Sequence, residues 1–348
     1  MVRYILNLAI CCLAANAFAH HSYTEFDDKR IVEIVGVLTK AAWQNPHAKL
    51  EVESKDAQGK VVRYDIETTP LNFLRRWQVP LEIYEVGSTV KVAGWPSKRE
   101  AARIYGTNIL SADGRETVLW RSQPRWKSTA FGTEPTSSST AAAAGIPPAT
   151  SIFQVWGSGY ARPGVPDDPD AVPGTLFRTP LPLTKAAQQA AAAYDPVTQA
   201  EQGCTPRGMP WIMAVPYPME LLDRGDTIMF HQEENDVVRT FHMNGDSRAA
   251  ASQPLTPLGY SVGRWDGDTL VVETSRASSK YFTPIGNFSE NAQYVERFEL
   301  AVDGSRLLYT LTISDPAVLT EPVELKRSWI QVPGEKVMAF KCDEAALR

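Results

Sequence analysis

The chain is poor in the residues that most often announce a chemistry. Four cysteines and five histidines in 348 residues leave little material for a Cys/His-rich metal module. No Gly-rich loop joins an expected strand to a helix, which argues against a phosphate cradle. Ser22 and Ser261 stand outside any nucleophile-elbow pattern. Basic runs are absent too: Lys and Arg number 35 against 40 Asp and Glu, so binding along a nucleic-acid backbone is not expected. Beyond the first residues, no apolar run is long enough to span a bilayer.

What is present starts with an address. Arg3 precedes an apolar run from Ile5 to Leu13, and Ala17-Phe18-Ala19 is a small-x-small cleavage site, so residues 1–19 read as a signal peptide. The mature chain then begins at His20, in the periplasm or outside the cell. Cleavage removes Cys11 and Cys12 and leaves Cys204 and Cys342. In an oxidising compartment that pair reads as a disulfide tying the start of the C-terminal domain to its end. A metal or redox pair would want neighbouring ligands, which the sequence does not supply.

The patterning is mostly β. Strands are expected at Ile31 to Thr39, Lys49 to Ser54, Val61 to Glu67, Thr89 to Ala93 and Arg103 to Ser111, with a short helix after Pro70 through Arg76. Five strands with a helix between the third and fourth resemble a small OB-type barrel, here over 20–120. Residues 121–203, rich in Ser, Thr, Ala and Pro, read as linker; Thr184 is placed to cap a helix from Lys185 to Tyr194. From residue 204 to 348, short strands joined by Asp-Gly or Pro-Gly turns suggest a lipocalin-like antiparallel barrel. These include Asp226 to Glu234, Val237 to Met243, Thr269 to Thr274, Tyr294 to Leu300, Arg306 to Ser314, Val323 to Ile330 and Lys336 to Cys342.

Two charges interrupt apolar strand faces in that second barrel. Glu296 alternates with Tyr294, Phe298 and Leu300, and Arg239 lies among Phe230 and Phe241. Either they meet as a structural ion pair inside the barrel, or they anchor a ligand in an apolar pocket. The ligand reading takes Arg239 and Glu296 to orient a small, partly apolar molecule, with Phe241, Trp265 and Tyr294 beside it. On the other face, a two-residue Asn235-Asp236 turn would set His231 opposite Thr240 and Met229 opposite His242. His231, His242 and Glu233 would then be close enough for acid–base or metal chemistry. An isomerase, hydratase or lyase using Glu296, His231 or His242 is the alternative function.

Three stretches carry a resemblance. The start His20-His21-Ser22 with Glu25-Phe26-Asp27, the motif Trp43-Gln44-Asn45-Pro46-His47, and Gly263-Arg264-Trp265-Asp266-Gly267-Asp268-Thr269-Leu270-Val271-Val272-Glu273-Thr274 resemble an exported bacterial two-domain family of unassigned function. That family implies no activity. The new terminus also resembles amino-terminal histidine copper sites: an α-amine and imidazole at His20, a second imidazole at His21, and a third donor at His47. Such nitrogens suit Cu(II); a plain exposed terminus and a structural His47 are the bland readings. The expectation is therefore an exported binding protein with a small-molecule ligand, and copper as the cofactor the terminus could hold.

Overall fold

Alternation of inward apolar and outward polar side chains builds the first barrel. The computed structural model describes residues 25–119, 123–126, 129–131, 147–158, 176–177, 180–193, 204–245, 247–278 and 287–342; the expected signal peptide, His20 and His21 lie outside them. Strands β1 (Val32–Ala42), β2 (Ala48–Lys55), β3 (Val61–Thr68), β4 (Thr89–Pro96) and β5 (Arg103–Ser111) close in the order β3-β2-β1-β4-β5 through a parallel β3–β5 pairing. Helix α1 (Leu71–Arg76) connects β3 to β4 and buries Phe73 and Leu74. Leu38, Leu50, Val52, Ile66 and Val92 form the core. At Gly94 the ladder shifts register, and a Cβ there would meet the Tyr105 carbonyl oxygen at 2.2 Å; only glycine lets the strands approach so closely. Strands β6 (Arg115–Val118) and β7 (Thr129–Phe131) extend this sheet.

A second, nine-stranded closed barrel follows. It comprises β8 (Val155–Gly157), β9 (Met219–Asp223), β10 (Thr227–Gln232), β11 (Val237–Met243), β12 (Tyr260–Asp266), β13 (Thr269–Ser275), β14 (Gln293–Leu300), β15 (Arg306–Ser314) and β16 (Val323–Gln331). Its likeness to a lipocalin lies in closure, since a lipocalin has about eight strands, all antiparallel, and here β11 pairs with β12 in parallel. Strand β8 comes from the segment expected to be linker, where Trp156 is fully buried. Within the same segment, helix α2 (Lys185–Ala192) is capped by Thr184 Oγ1, which accepts from the Ala187 amide at 3.3 Å. No helix among the described residues is long and apolar enough to cross a membrane.

The β10–β11 hairpin differs from its expected form. His231 faces Val238 and Thr227 faces His242, a two-residue shift, because Glu233–Asp236 all leave the ladder. The shift is even, so the inward set of Ile228, Phe230, Arg239 and Phe241 is preserved. The cause is long-range. The Glu233 carboxylate accepts from Arg76 of the first barrel through both its oxygens, from Asn72 Nδ2 at 3.0 Å and from the Met338 amide at 2.8 Å. Asp236 accepts from the Phe340 amide at 3.1 Å. Residues Lys336–Cys342, expected as a strand, instead cross to the first barrel, where Phe340 packs in the core beside Phe73 and Tyr217.

Cys204 and Cys342 form the expected disulfide, 138 residues apart in sequence. It ties down the tail that carries Phe340, and closing so long a loop stabilises the fold by about 3–5 kcal/mol on a chain-entropy account. Cys204→Ser with Cys342→Ser should lower the denaturation midpoint accordingly and loosen the tail. Equal midpoints for wild type and variant, both under oxidising conditions, would contradict that.

Candidate functional site

Arg239 on β11 and Glu296 on β14 meet inside the second barrel, 2% and 0% exposed. Arg239 Nη2 donates to Glu296 Oε2 at 2.6 Å and Nη1 to Oε1 at 3.0 Å. Tyr309 Oη donates to Glu296 Oε1 at 2.9 Å, and Thr274 Oγ1 to Oε2 at 3.2 Å. The guanidinium lies 5.0 Å from the Phe241 ring centre and 5.7 Å from that of Phe230. Met213, from a short turn at Trp211–Ala214, enters this interior: its sulfur accepts from Arg239 and its carbonyl from Arg327 Nη1 at 2.6 Å. Burial holds the Arg327 guanidinium down to about 9, and it pushes the Tyr294 and Tyr309 hydroxyls above their ordinary range.

Both oxygens of Glu296 are thus taken by protein donors in a packed interior. Arg239, Phe241, Tyr294 and Glu296, all expected at a ligand site, are buried; Arg239 pairs with Glu296 and lies over Phe241, while the Tyr294 ring packs edge-on against Phe288.

The expected acid–base residues are not assembled. His231 lies outside the barrel, its Nδ1 3.0 Å from Glu220 Oε1, while His242 stacks on Tyr260 with ring centres 4.8 Å apart. The register leaves the two histidines four positions apart along the hairpin, about 13 Å at a strand's rise. Glu233 is fully buried between the barrels, and Glu296 is on the opposite face of the barrel wall from both imidazoles.

Trp265 is different: it is 44% exposed. It lines an open cleft of about 690 Å³ at the rim of the second barrel. The cleft forms where the β12–β13 turn, the end of β14 and the Thr150–Phe153 segment meet. Gly267, with φ +60°, makes the tight two-residue turn possible and leaves Asp268 at its tip. Phe153 packs edge-on against Trp265 at 6.2 Å, and Leu300 and Val302 add apolar surface. Sequence reasoning singled out Trp265 and missed its neighbours. Phe153 sat in the presumed linker, and Glu299, Leu300 and Val302 gather only once β14 ends beside the turn.

His47 opens β2 at the seam that closes the first barrel. Its Nδ1 is 3.5 Å from Glu67 Oε1, beside an Arg103 that also pairs with Glu25 and Asp65. Among the described residues no three His, Cys, Asp or Glu side chains are grouped to hold a metal. A copper site that used His47 would need its other donors from His20 and His21, which lie outside the described residues.

Residues 9–105 match DUF6152, a family of unknown function. The match takes in Glu25-Phe26-Asp27 and Asn45-Pro46-His47 but stops short of the second barrel, so it reaches neither the cleft nor the buried ion pair. No curated protein matches the chain. In this structure Asn45 serves the contact between barrels: its side chain donates to Asn72 Oδ1 at 3.0 Å and to the Phe340 carbonyl.

Proposed function

We propose that the chain is an exported binding protein that holds a small, partly apolar ligand at the rim of its second barrel. The rim cleft carries this reading. It joins two aromatic rings, aliphatic surface and a few polar groups in a concavity of ligand size, the usual make-up of a small-molecule site. The interior is a poorer host, because its charged groups bind each other. The same proposal keeps copper at the processed terminus, with His20 supplying amine and imidazole, His21 a second imidazole, and His47 a third donor beside Glu67.

Native mass spectrometry on protein exported and processed by its own host tests both parts. A retained organic mass is expected in wild type and a roughly tenfold lower occupancy in Trp265→Ala, the scale of losing an aromatic anchor. The variant should fold normally, because nearly half of that side chain is solvated. No retained mass, together with no Trp265-dependent uptake from a small-molecule extract, would overturn the ligand reading. Copper that survives extension of the terminus by one residue would overturn the amine site.

A further inference from the structure

Charge at the cleft points to a class of ligand. Asp268 and Glu299 are both exposed on its lining, which includes no Lys, Arg or His. Neither carboxylate has an ion-pair or hydrogen-bond partner among the described residues. Their neighbours do find partners: Asp266, on the same turn, is taken by Arg297 at 3.2 Å, and Asp303, past the end of β14, accepts from the Ser305 hydroxyl at 2.7 Å. Two carboxylates without a partner among the described residues therefore border a surface made of Trp265, Phe153, Leu300 and Val302.

Resting on the binding function proposed above, we infer that the cleft takes an organic cation, an ammonium group carried on an aromatic or aliphatic body. The ammonium satisfies the carboxylates and lies against the electron-rich indole face, while the body covers the exposed apolar surface. An anion of the same shape would face two like charges with no Lys, Arg or His on the lining to offset them.

Calorimetric titration at low ionic strength with three matched probes tests this: phenethylammonium, phenethyl alcohol and hydrocinnamate. The ammonium should bind about tenfold more tightly than the alcohol, the scale of one partly solvated ion pair together with an indole contact. Hydrocinnamate should bind least. In Asp268→Asn with Glu299→Gln, both exposed, the gap between ammonium and alcohol should close, whereas Trp265→Ala should weaken both probes. Equal binding of ammonium and alcohol, or tighter binding of hydrocinnamate, each dependent on Trp265, would overturn the cation class and leave a neutral or anionic ligand at the same cleft. If no probe binds in a Trp265-dependent way, the inference fails together with the cleft on which it rests.

Discussion

Arg239→Met should destabilise the second barrel by about 3–5 kcal/mol, the range for removing one partner of a buried ion pair. The loss follows from what remains. Glu296 is 0% exposed, so without the guanidinium its charge is held by the Tyr309 and Thr274 hydroxyls alone. Glu296→Gln should cost a similar amount, because Arg239 then stays buried between Phe230 and Phe241 with no countercharge. Arg239→Met combined with Glu296→Gln removes both charges and keeps an oxygen acceptor for Tyr309. Its cost should fall short of the summed single costs by at least about 2 kcal/mol, well beyond the scatter of independent sites. Chemical denaturation of the four proteins measures this. Additive costs within about 0.5 kcal/mol would mean that the two groups do not stabilise each other. The cycle also bears on function, since a ligand anchor inside the barrel should gain stability when such a charge is removed from the empty protein.

That ion pair was half legible in the sequence: each charge interrupts an otherwise apolar strand face, but the pattern allowed either a mutual pairing or a ligand anchor, and only the contact between β11 and β14 side chains across the interior decides for pairing. The strands of the first barrel were legible: alternation places β1 to β5 and α1 within a few residues of their observed ends. The hairpin register was not. Asn235-Asp236 looks like a two-residue turn, and nothing local reveals that Glu233 belongs to Arg76 or that Asp236 caps the Phe340 amide. Strand β8 escaped because three residues are too few to show alternation. Lys336–Cys342 misled in the opposite way, its apolar positions serving the core of the other barrel. The cleft was half visible: Trp265 stood out beside an Asp-Gly-Asp turn that supplies Asp268, but Glu299 and the apolar neighbours come from segments more than thirty residues away on either side.

Raising the pH should unfold the protein more steeply than its modest net charge suggests. Tyr84 in the first barrel and Tyr294 and Tyr309 in the second are all pushed above the ordinary phenol range, chiefly by burial. Tyr309 also donates its proton to Glu296, so its phenolate would face a carboxylate. For each tyrosine the folded form keeps a proton that the unfolded form sheds above about pH 10. The stability that burial confers is therefore complete below that pH and lost as pH rises toward the folded value. Arg327 works in the opposite direction, since burial has lowered it to about 9 and its unfolded form holds a proton that the folded form gives up. Three groups against one leave a net loss of about 3 kcal/mol per pH unit above pH 10. A fold near the lower end of ordinary stability, about 5 kcal/mol, would reach its midpoint within about two units. Circular dichroism and tyrosinate absorbance, followed together, report the outcome: part of the signal from the twelve tyrosines should appear only as the β signal disappears. Tyr309→Phe should flatten the pH slope by about 1.4 kcal/mol per unit, even if the lost hydrogen bond to Glu296 lowers stability at neutral pH. Complete, reversible titration of every tyrosine before any loss of β signal would show that these hydroxyls are not sequestered as the geometry requires.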